Sequence, residues 1–543
     1  MNSERSQSSP TPRAVFSGFA YQALNSALLP TSAAPGEFLN PILSGCWPDP
    51  TLIRVGADFH LANSSFTQFP GLPIHHSRDL VNWSLLTHAI DRPTQLRYAG
   101  LSTSRGLFAP SLSHHAGRWY LLCTMVDAGG NFILTAEKPE GPWSDPVWLD
   151  FGGIDPSLFV DRDGSAWIVH NDEPQGPPRY DGHRALWLQR IDLQTLKMVG
   201  PRRMLVDGGA DPSSRPIWIE GPHLFRRGEW LYLCCAEGGT SLEHSQVILR
   251  AHSLDGPFEA WQAGNPILTQ RDLDPSAPDA VTCAGHAQLV ELADGSWWAS
   301  FLACRPDNRV RRGGHWLNGR ETFLLPVQWT ADGWPRILPR RERIPLRLRA
   351  PFGATQRPQP ASFRWQAGDT LDAYWLALRA PHAARVVDGK LHLPVRADRA
   401  DSSEQTPAVL LRRVQHGAFE AECALAPPSQ GVAGLLLFQS ERQQLRLLAG
   451  RVGSELQVAV EQVNAGHAQR VGALALGHGA ASLRLRMRCD GDRVSFDLAT
   501  TDAGWRALPA SVDARDISVQ AAGDGLHFTG ALIGLYAVQA FSP

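Results

Sequence analysis

The chain has 543 residues, of which 43% are hydrophobic and 19% charged, and its formal net charge is −2. This length predicts two or three domains, and the composition is typical of a soluble globular protein. The near-neutral charge excludes a protein drawn to nucleic acid or to an anionic membrane, and no run of about 18 apolar residues is present to span a bilayer. We therefore expect no nucleic-acid or membrane partner. Whether the chain forms a homo-oligomer stays open.

Residues 1–39 are predicted to be an N-terminal extension, and the sequence indicates no role for them. The mildly apolar middle of this extension is interrupted by Gln22, Asn25 and Ser26, which makes a poor signal-peptide core. The eight cysteines form no C-x-x-C pair and no zinc-binding spacing, so reduced thiols are expected. These features favour a cytoplasmic location, with periplasmic export as the alternative.

Five segments between residues 40 and 340 repeat one layout. Each has a special residue, a small residue or proline, an apolar pair, a polar turn and an aromatic-rich run, which predicts a hairpin. The segments are PDPTLIRVGADFHLANS from Pro48, FAPSLSHHAGRWYLLCT from Phe108, IDPSLFVDRDGSAWIVHND from Ile154, IEGPHLFRRGEWLYLCCAE from Ile219 and CAGHAQLVELADGSWWASFLA from Cys283. Their spacing of about 46 to 66 residues suits four-stranded blades. We therefore predict a five-bladed β-propeller over residues 40–340.

The rest of the chain reads as a linker and a second β domain. Residues 341–362 lie in the basic, proline-rich stretch PRRERIPLRLRAPFGATQRPQPAS, which predicts a connector. Residues 363–543 alternate apolar and polar residues in short runs such as GKLHLPV, GAFEAECAL and RVSFDLA. Such evenly spaced strands predict an antiparallel β-sandwich, so the whole chain is predicted to be all-β.

The special residues of the five repeats carry the chemistry. An ionised glutamate inside the apolar run IWIEGPHLF would cost several kcal/mol in a core, but not in a propeller channel. In a propeller the innermost strand of each blade lines the central channel, which would bring together Asp49, Phe108, Asp155, Glu220 and His286. A single Asp-Pro dipeptide is an ordinary turn starter, whereas acids at the same place in three repeats favour chemistry. Two carboxyl groups that flank a glycosidic bond are the minimal apparatus for its hydrolysis.

The local sequence separates the expected roles of the three acids. Glu220 has the most apolar setting, which favours a raised pKa and the role of general acid. Asp49 lies between prolines in WPDPT and is the natural general base. Asp155, in GGIDPSLF, would supply a third negative charge that keeps Glu220 protonated and oriented.

These residues resemble glycoside hydrolase family 43, and in particular its β-xylosidase branch. The matching stretches are residues 40–83, GGIDPSLF, IEGPHLF, GHAQLVE and GRETFL, and the resemblance extends over about residues 40–543. It implies a five-bladed propeller followed by a lectin-like (concanavalin A-like) sandwich, and an inverting exo-glycosidase. It also implies the roles given above for Asp49, Asp155 and Glu220.

The resemblance further implies the residues that bind the terminal sugar. Arg320, in GRETFL, resembles the arginine that holds this sugar, and Phe66 and Phe108 match its aromatic wall. Tryptophan is usual at the second aromatic position, so Phe108 leaves the sugar preference open. Phe528, in DGLHFTGALIGLY, resembles an aromatic residue that the sandwich inserts over the pocket.

Two further positions carry expectations. His286, in GHAQ, resembles a histidine that binds a divalent cation in some members, so no cofactor is required but Ca²⁺ or another divalent cation near His286 is a candidate. Trp47 gives WPDP where NPDP is more frequent, and it is expected to reshape the pocket edge beside Asp49.

The expected function is release of xylose from the non-reducing ends of β-1,4-xylo-oligosaccharides with inversion. The nearest alternative is an α-L-arabinofuranosidase, alone or as a second activity, since the two sugars have similar outlines. A non-catalytic carbohydrate-binding propeller is a remote alternative, because it predicts that a channel acid is missing, and all three acids are present.

Overall fold

The computed structural model describes residues 11–24, 32–277, 280–305, 315–357, 362–366, 368–477, 480–500, 503–522 and 527–542. Within these ranges the chain is almost entirely β-structure. The helical segments are four short 3₁₀ turns at Pro212–Ser214, Pro351–Gly353, Ala514–Ile517 and Val519–Ala522. No helix in the described ranges is long and apolar enough to cross a membrane. All eight cysteines are buried free thiols.

The first three blades of the propeller are antiparallel sheets with their strands in chain order. Blade 1 consists of Thr51–Val55, Asp58–Ala62, Gly71–Ser77 and Ser84–Ile90. Blade 2 consists of Ser111–His115, Arg118–Val126, Gly130–Ala136 and Val147–Trp148, with Gly106–Leu107 added beside its second strand. Blade 3 consists of Ile154–Val160, Ala166–Asp172, Ala185–Asp192 and Lys197–Asp207.

Two more blades complete the ring. Blade 4 consists of Glu220–Arg227, Trp230–Glu237, Ser245–Ala251 and Glu259–Ala260, with Leu268–Thr269 added beside its third strand. Blade 5 consists of Thr282–Glu291, Trp297–Cys304, Glu321–Trp329 and Pro335–Arg336. The first strands of neighbouring blades contact one another around the ring, and the first strand of blade 5 contacts that of blade 1. The predicted five-bladed architecture is therefore confirmed.

The segment before blade 1 closes the ring against blade 5. The backbone N–H of Ile42 donates to the carbonyl of Thr322 at 2.9 Å. The Asn40 side chain bonds both backbone polar groups of Leu324, each at 2.9 Å. Glu37–Leu39 pairs with Arg347–Arg349, so the end of the predicted extension and part of the predicted linker form one two-stranded sheet.

The sandwich consists of two antiparallel sheets. One contains Ala408–Arg413, Leu532–Val538, Val432–Ser440, Gln443–Val452, Glu455–Asn464 and His467–Ala475. The other contains Arg385–Val387, Lys390–Pro394, Arg13–Ala23, Phe419–Ala426, Leu483–Cys489, Arg493–Thr500 and Arg506–Asp513, and Ser362–Gln366 also pairs with Arg13–Ala23. A further pair, Ala377–Leu378 with Gln68–Phe69, joins the sandwich domain to blade 1.

The strand Arg13–Ala23 gives the N-terminal extension a structural role that the sequence did not indicate. It pairs with Lys390–Pro394 and with Phe419–Ala426 inside the sandwich. A β-bulge between Phe16 and Gly18 changes which residues face the core, so Phe16 and Phe19 both point inward, with 0% and 2% of their surface exposed. The sandwich therefore includes a strand from the opposite end of the chain.

We predict that Phe16→Ala destabilises the sandwich by about 3–5 kcal/mol, because it removes a fully buried aromatic ring and leaves a cavity. The neighbouring exposed Ser17 is the matched control, and Ser17→Ala should change the free energy of unfolding by less than about 0.5 kcal/mol. Urea unfolding of the three proteins measures both values. Equally small effects would contradict the assignment of this strand to the folded core.

Candidate active site

All eight site residues that the sequence predicts line one pocket of about 350 Å³. They lie where the first strands of the blades begin, except for Phe66 in blade 1, Arg320 before the third strand of blade 5 and Phe528 in the sandwich. The pocket has a buried end and an exposed mouth. Phe66, Asp49 and Arg320 are at most 7% exposed, whereas Ile217 at the mouth is 41% exposed. The eight predicted residues are Asp49, Phe66, Phe108, Asp155, Glu220, His286, Arg320 and Phe528.

In several blades a positive φ angle directs a polar side chain into this pocket. Asp49, Asp155 and His286 have φ angles of 53°, 56° and 53°, which non-glycine residues rarely adopt, and Gly221 after Glu220 has 55°. In blades 3, 4 and 5 the first strand carries one extra residue at this point, at Ile154–Ser157, Glu220–His223 and Gly285–Gln288. Such bulges re-aim a side chain out of the regular pleat. The special repeat positions of blades 3, 4 and 5 therefore lie at β-bulges that face the channel.

Asp49 is held as an ionised carboxylate. Arg320 Nη1 lies 3.1 Å from Oδ1 of Asp49, and the Ser64 hydroxyl donates to Oδ2 at 2.5 Å. Burial by itself raises the pKa of Asp49, but the positive charge of Arg320 and the bond from Ser64 are among the interactions that outweigh it, so the pKa lies below its ordinary value. This carboxylate can therefore accept a proton from water.

Glu220 has the opposite environment. Burial raises its pKa well above the ordinary value, and the negative charges of Asp155 and Asp49 raise it further. Its Oε1 atom is buried without a hydrogen-bond partner among the described residues. Glu220 is therefore held protonated and free to donate to a bound substrate.

The pKa of Asp155 is raised as well. Burial raises the pKa of Asp155 to about 6, with the His286 charge opposing the shift and the Asp49 charge adding to it. Oδ2 of Asp155 accepts the backbone N–H of Gly221 at 3.0 Å. Asp155 therefore fixes the backbone next to Glu220 while its charge acts on the Glu220 carboxyl.

Three phenylalanines from two domains form one wall of the pocket. The ring of Phe528 is nearly parallel to that of Phe66, with centroids 6.5 Å apart, and Phe108 meets both rings edge-on at 5.8 and 5.4 Å. The Phe528 N–H donates to Ser104 Oγ at 3.1 Å, and its carbonyl accepts from Arg320 Nη2 at 3.2 Å. The sandwich therefore closes one side of the pocket.

His286 lies in the pocket, and its ring packs directly against Gly221. In the described part of the chain, no group of three or more His, Cys, Asp or Glu residues is arranged to hold a metal ion. Calcium usually takes six to eight oxygen ligands, so a cation at His286 would take most of its ligands from water or backbone carbonyls. The expected cation near His286 stays a prediction.

Some pocket residues were not identified from the sequence. Ser64 lies two positions before Phe66 in SSFTQF, but a serine in a polar loop gives no signal of its bond to Asp49. Arg105, Ile217 and Trp218 line the outer pocket, and Trp218 lies two positions before Glu220 in the apolar run IWIEGPHLF. Trp218 has a φ of 52°, a strained value that only the structure reveals. Trp47 does not line this pocket, contrary to the expectation that it shapes the pocket edge.

A pocket that pairs an ionised carboxylate with a carboxyl held protonated is the arrangement of a glycoside hydrolase. Family comparison agrees with this class. Residues 38–335 match the model of glycosyl hydrolases family 43, and residues 366–542 match the β-xylosidase C-terminal concanavalin A-like domain. The chain therefore belongs to glycosyl hydrolase family 43, whose members act with inversion.

Two of the following relatives match nearly the whole chain, and a third matches just over half of it. A xylosidase/arabinosidase of Humicola insolens is 34% identical over 536 residues, which are 92% of this chain and 94% of the relative. A non-reducing end α-L-arabinofuranosidase of Bacteroides ovatus is 41% identical over 313 residues, 56% of this chain and 54% of the relative. The crystal structure of a GH43_12 protein retrieved from a capybara gut metagenome matches 97% of this chain and 100% of its own at 32% identity, with a TM-score of 0.89.

We predict that Ser64→Ala shifts the acidic limb of the kcat/KM profile to higher pH by roughly 0.5–1 unit. The Ser64 bond stabilises the ionised form of Asp49, so its loss raises the pKa of Asp49, the predicted base. The alkaline limb, which reports Glu220, is the internal control and should stay in place. A shift of the alkaline limb alone would contradict the assignment.

Proposed function

We propose that the protein releases xylose from the non-reducing ends of β-1,4-xylo-oligosaccharides, with inversion of the anomeric configuration. The observation that carries this proposal is the opposite pKa shift of Asp49 and Glu220 in one pocket that the sandwich closes with Phe528. A pocket closed on one side accepts a chain end rather than the middle of a polysaccharide. The names of relatives add support, since the Humicola insolens relative is a xylosidase/arabinosidase.

In the proposed mechanism Asp49 removes a proton from water beneath the anomeric carbon. Its carboxylate stays ionised because Arg320 and Ser64 bond both oxygens. Glu220 gives its proton to the departing glycosidic oxygen as the bond breaks. The water oxygen becomes the new anomeric hydroxyl on the opposite face of the sugar, and the shortened oligosaccharide leaves with the proton from Glu220.

The other pocket residues prepare the acid and the sugar. Asp155 opposes ionisation of Glu220 by its negative charge and holds the adjacent Gly221 N–H. Arg320 is placed to bond sugar hydroxyls while it pairs with Asp49. The rings of Phe66, Phe108 and Phe528 supply the apolar wall for one sugar face.

We expect the first product formed from xylobiose to be α-xylose, because water attacks the face opposite the departing oxygen. Proton NMR within the first minutes, before mutarotation, measures the anomer and the substrate together. Release of β-xylose would rule out an inverting mechanism. Failure to cleave xylobiose would rule out the proposed substrate.

We expect Glu220→Gln to lower kcat/KM about 10²–10⁴-fold for xylobiose, but much less for an aryl xyloside with an activated leaving group. A good leaving group departs without a proton, whereas an alkoxide does not. Asp49→Asn is the matched comparison and should impair both substrates alike, since water must be activated in each case. Equal losses for the Glu220 variant would contradict its role as the acid.

α-L-Arabinofuranosidase activity, alone or as a second activity, is the other candidate. It is favoured by the Bacteroides ovatus arabinofuranosidase, which is 41% identical over 56% of this chain. Phe108 stands where tryptophan is usual, so the aromatic wall does not distinguish the two sugars. Turnover of the 4-nitrophenyl β-xyloside and α-L-arabinofuranoside, measured side by side, separates the candidates.

A further inference from the structure

Trp47 lies two residues before Asp49, yet it faces away from the pocket. Its side chain is buried, with 3% of the residue exposed, and it lines a separate cavity between blade 1 and the sandwich domain. There it contacts Arg413, the last residue of the sandwich strand Ala408–Arg413. The segment that carries Asp49 is therefore in direct contact with the second domain.

Arg413 makes three contacts at this boundary. Its guanidinium carbon lies 3.7 Å from the centre of the Trp47 ring. Its Nε donates to the carbonyl of Cys46 at 2.8 Å, and its Nη2 donates to Gln68 Oε1 at 2.6 Å. One side chain of the sandwich thus holds both the segment before Asp49 and the strand after Phe66.

Burying the charged side chain of Arg413 costs free energy. The residue is 6% exposed, and within the described ranges no carboxylate pairs with it. Burial lowers the pKa of its guanidinium to about 10, so the side chain stays charged at neutral pH. A buried charge without an ionic partner costs several kcal/mol, and an apolar side chain of similar volume would pack here at no such cost. Packing alone does not explain this arginine.

The remaining contacts of Trp47 show how its position reaches Asp49. Its carbonyl accepts from Asn63 Nδ2 at 3.0 Å and from Thr322 Oγ1 at 2.6 Å, and its N–H donates to Arg320 at 3.0 Å. These bonds fix the backbone within the propeller. The indole donates from Nε1 to the Ser44 carbonyl at 3.0 Å and meets the His75 ring edge-on, and Arg413 covers its face from the sandwich. Asp49 follows with the strained φ of 53°, so a shift of Trp47 moves the carboxylate.

We propose that Arg413 is a positioning residue for Asp49, which acts from the sandwich through its stacking on Trp47 and its bond to the Cys46 carbonyl. The inference rests on the proposed function, in which Asp49 is the base. A displacement of about 1 Å between a catalytic group and its substrate costs about 10²-fold in rate, so the effect belongs in kcat.

The experiment compares Arg413→Met with the wild-type enzyme on xylobiose and on an activated aryl xyloside, or on the arabinosides if the wild type prefers them. We expect kcat to fall about 10- to 100-fold with KM within about twofold. The loss should be equal for the two leaving groups, because base catalysis serves both. Arg412→Met is the matched control, since this neighbouring arginine pairs with Asp372, and it should retain wild-type activity.

Variants of Trp47 test whether Arg413 positions Asp49 through its contact with Trp47. Trp47→Leu should reproduce the loss of kcat, and Trp47→Phe should keep most of the activity because it retains a ring for the guanidinium. The double variant Arg413→Met/Trp47→Leu should be no worse than either single variant, as expected for residues that act as one unit. If Arg413→Met does not fold, as judged by near-UV circular dichroism, the Trp47 pair carries the test.

The outcomes distinguish this inference from the proposed function. A wild-type enzyme that cleaves neither sugar would overturn the function and the inference with it. An active wild type whose Arg413→Met variant keeps kcat within about twofold would overturn the inference alone. A larger loss on xylobiose than on the aryl substrate, or additive losses in the double variant, would also overturn it.

Discussion

The site depends on the placement of Arg320 against Asp49 and not against Glu220. Three carboxyl groups line one buried pocket, and burial opposes ionisation of each of them. Arg320 bonds Asp49 directly and keeps it ionised, and the charge of Asp49 in turn opposes ionisation of Glu220. The Arg320–Asp49 pair keeps one carboxyl ionised, while burial and the charges of Asp155 and Asp49 raise the pKa of Glu220, and opposite shifts of this kind are the condition for acid and base catalysis at a single pH.

The propeller supports this arrangement at the expense of local backbone stability. Asp49, Asp155 and His286 adopt left-handed backbone angles that cost about 1–3 kcal/mol each. The strained residues lie beside regularly paired strands, and the first strands of neighbouring blades contact one another around the ring. The same repeat that folds the domain therefore places one special residue per blade at the channel.

The sequence predicts those parts of the fold that follow from local patterns. Alternating apolar residues and turns indicate the hairpins, and the acids stand out because Asp49, Asp155 and Glu220 occupy one position of the repeat. The strand Arg13–Ala23 was not predicted, since its bulge breaks the alternation between Phe16 and Phe19. Its partner strands lie hundreds of residues away, and no local pattern encodes such a pairing.

Side-chain contacts around the site were likewise not predictable from the sequence. The bond from Ser64 to Asp49 and the stacking of Arg413 on Trp47 depend on side-chain directions that only the folded backbone fixes. Phe528 was found from the sequence through its resemblance to a family loop, and not from any periodicity. Local patterns thus identify the acids, whereas the contacts that tune and hold them depend on the folded backbone, and Arg413 and Phe528 come from the other domain.

The domain boundary behind the aromatic wall contains an ion pair and several hydrogen bonds. Arg379 pairs with Glu441 at 2.6 Å, and its backbone N–H donates to the carbonyl of Thr67, beside Phe66. Glu441 also accepts from the backbone and hydroxyl of Thr103, beside the Ser104 that bonds Phe528. This network joins the sandwich to the backbone beside Phe66 and beside Ser104, whose side chains belong to the wall or bond it. The sandwich is therefore part of the catalytic site, and the two domains form one functional unit.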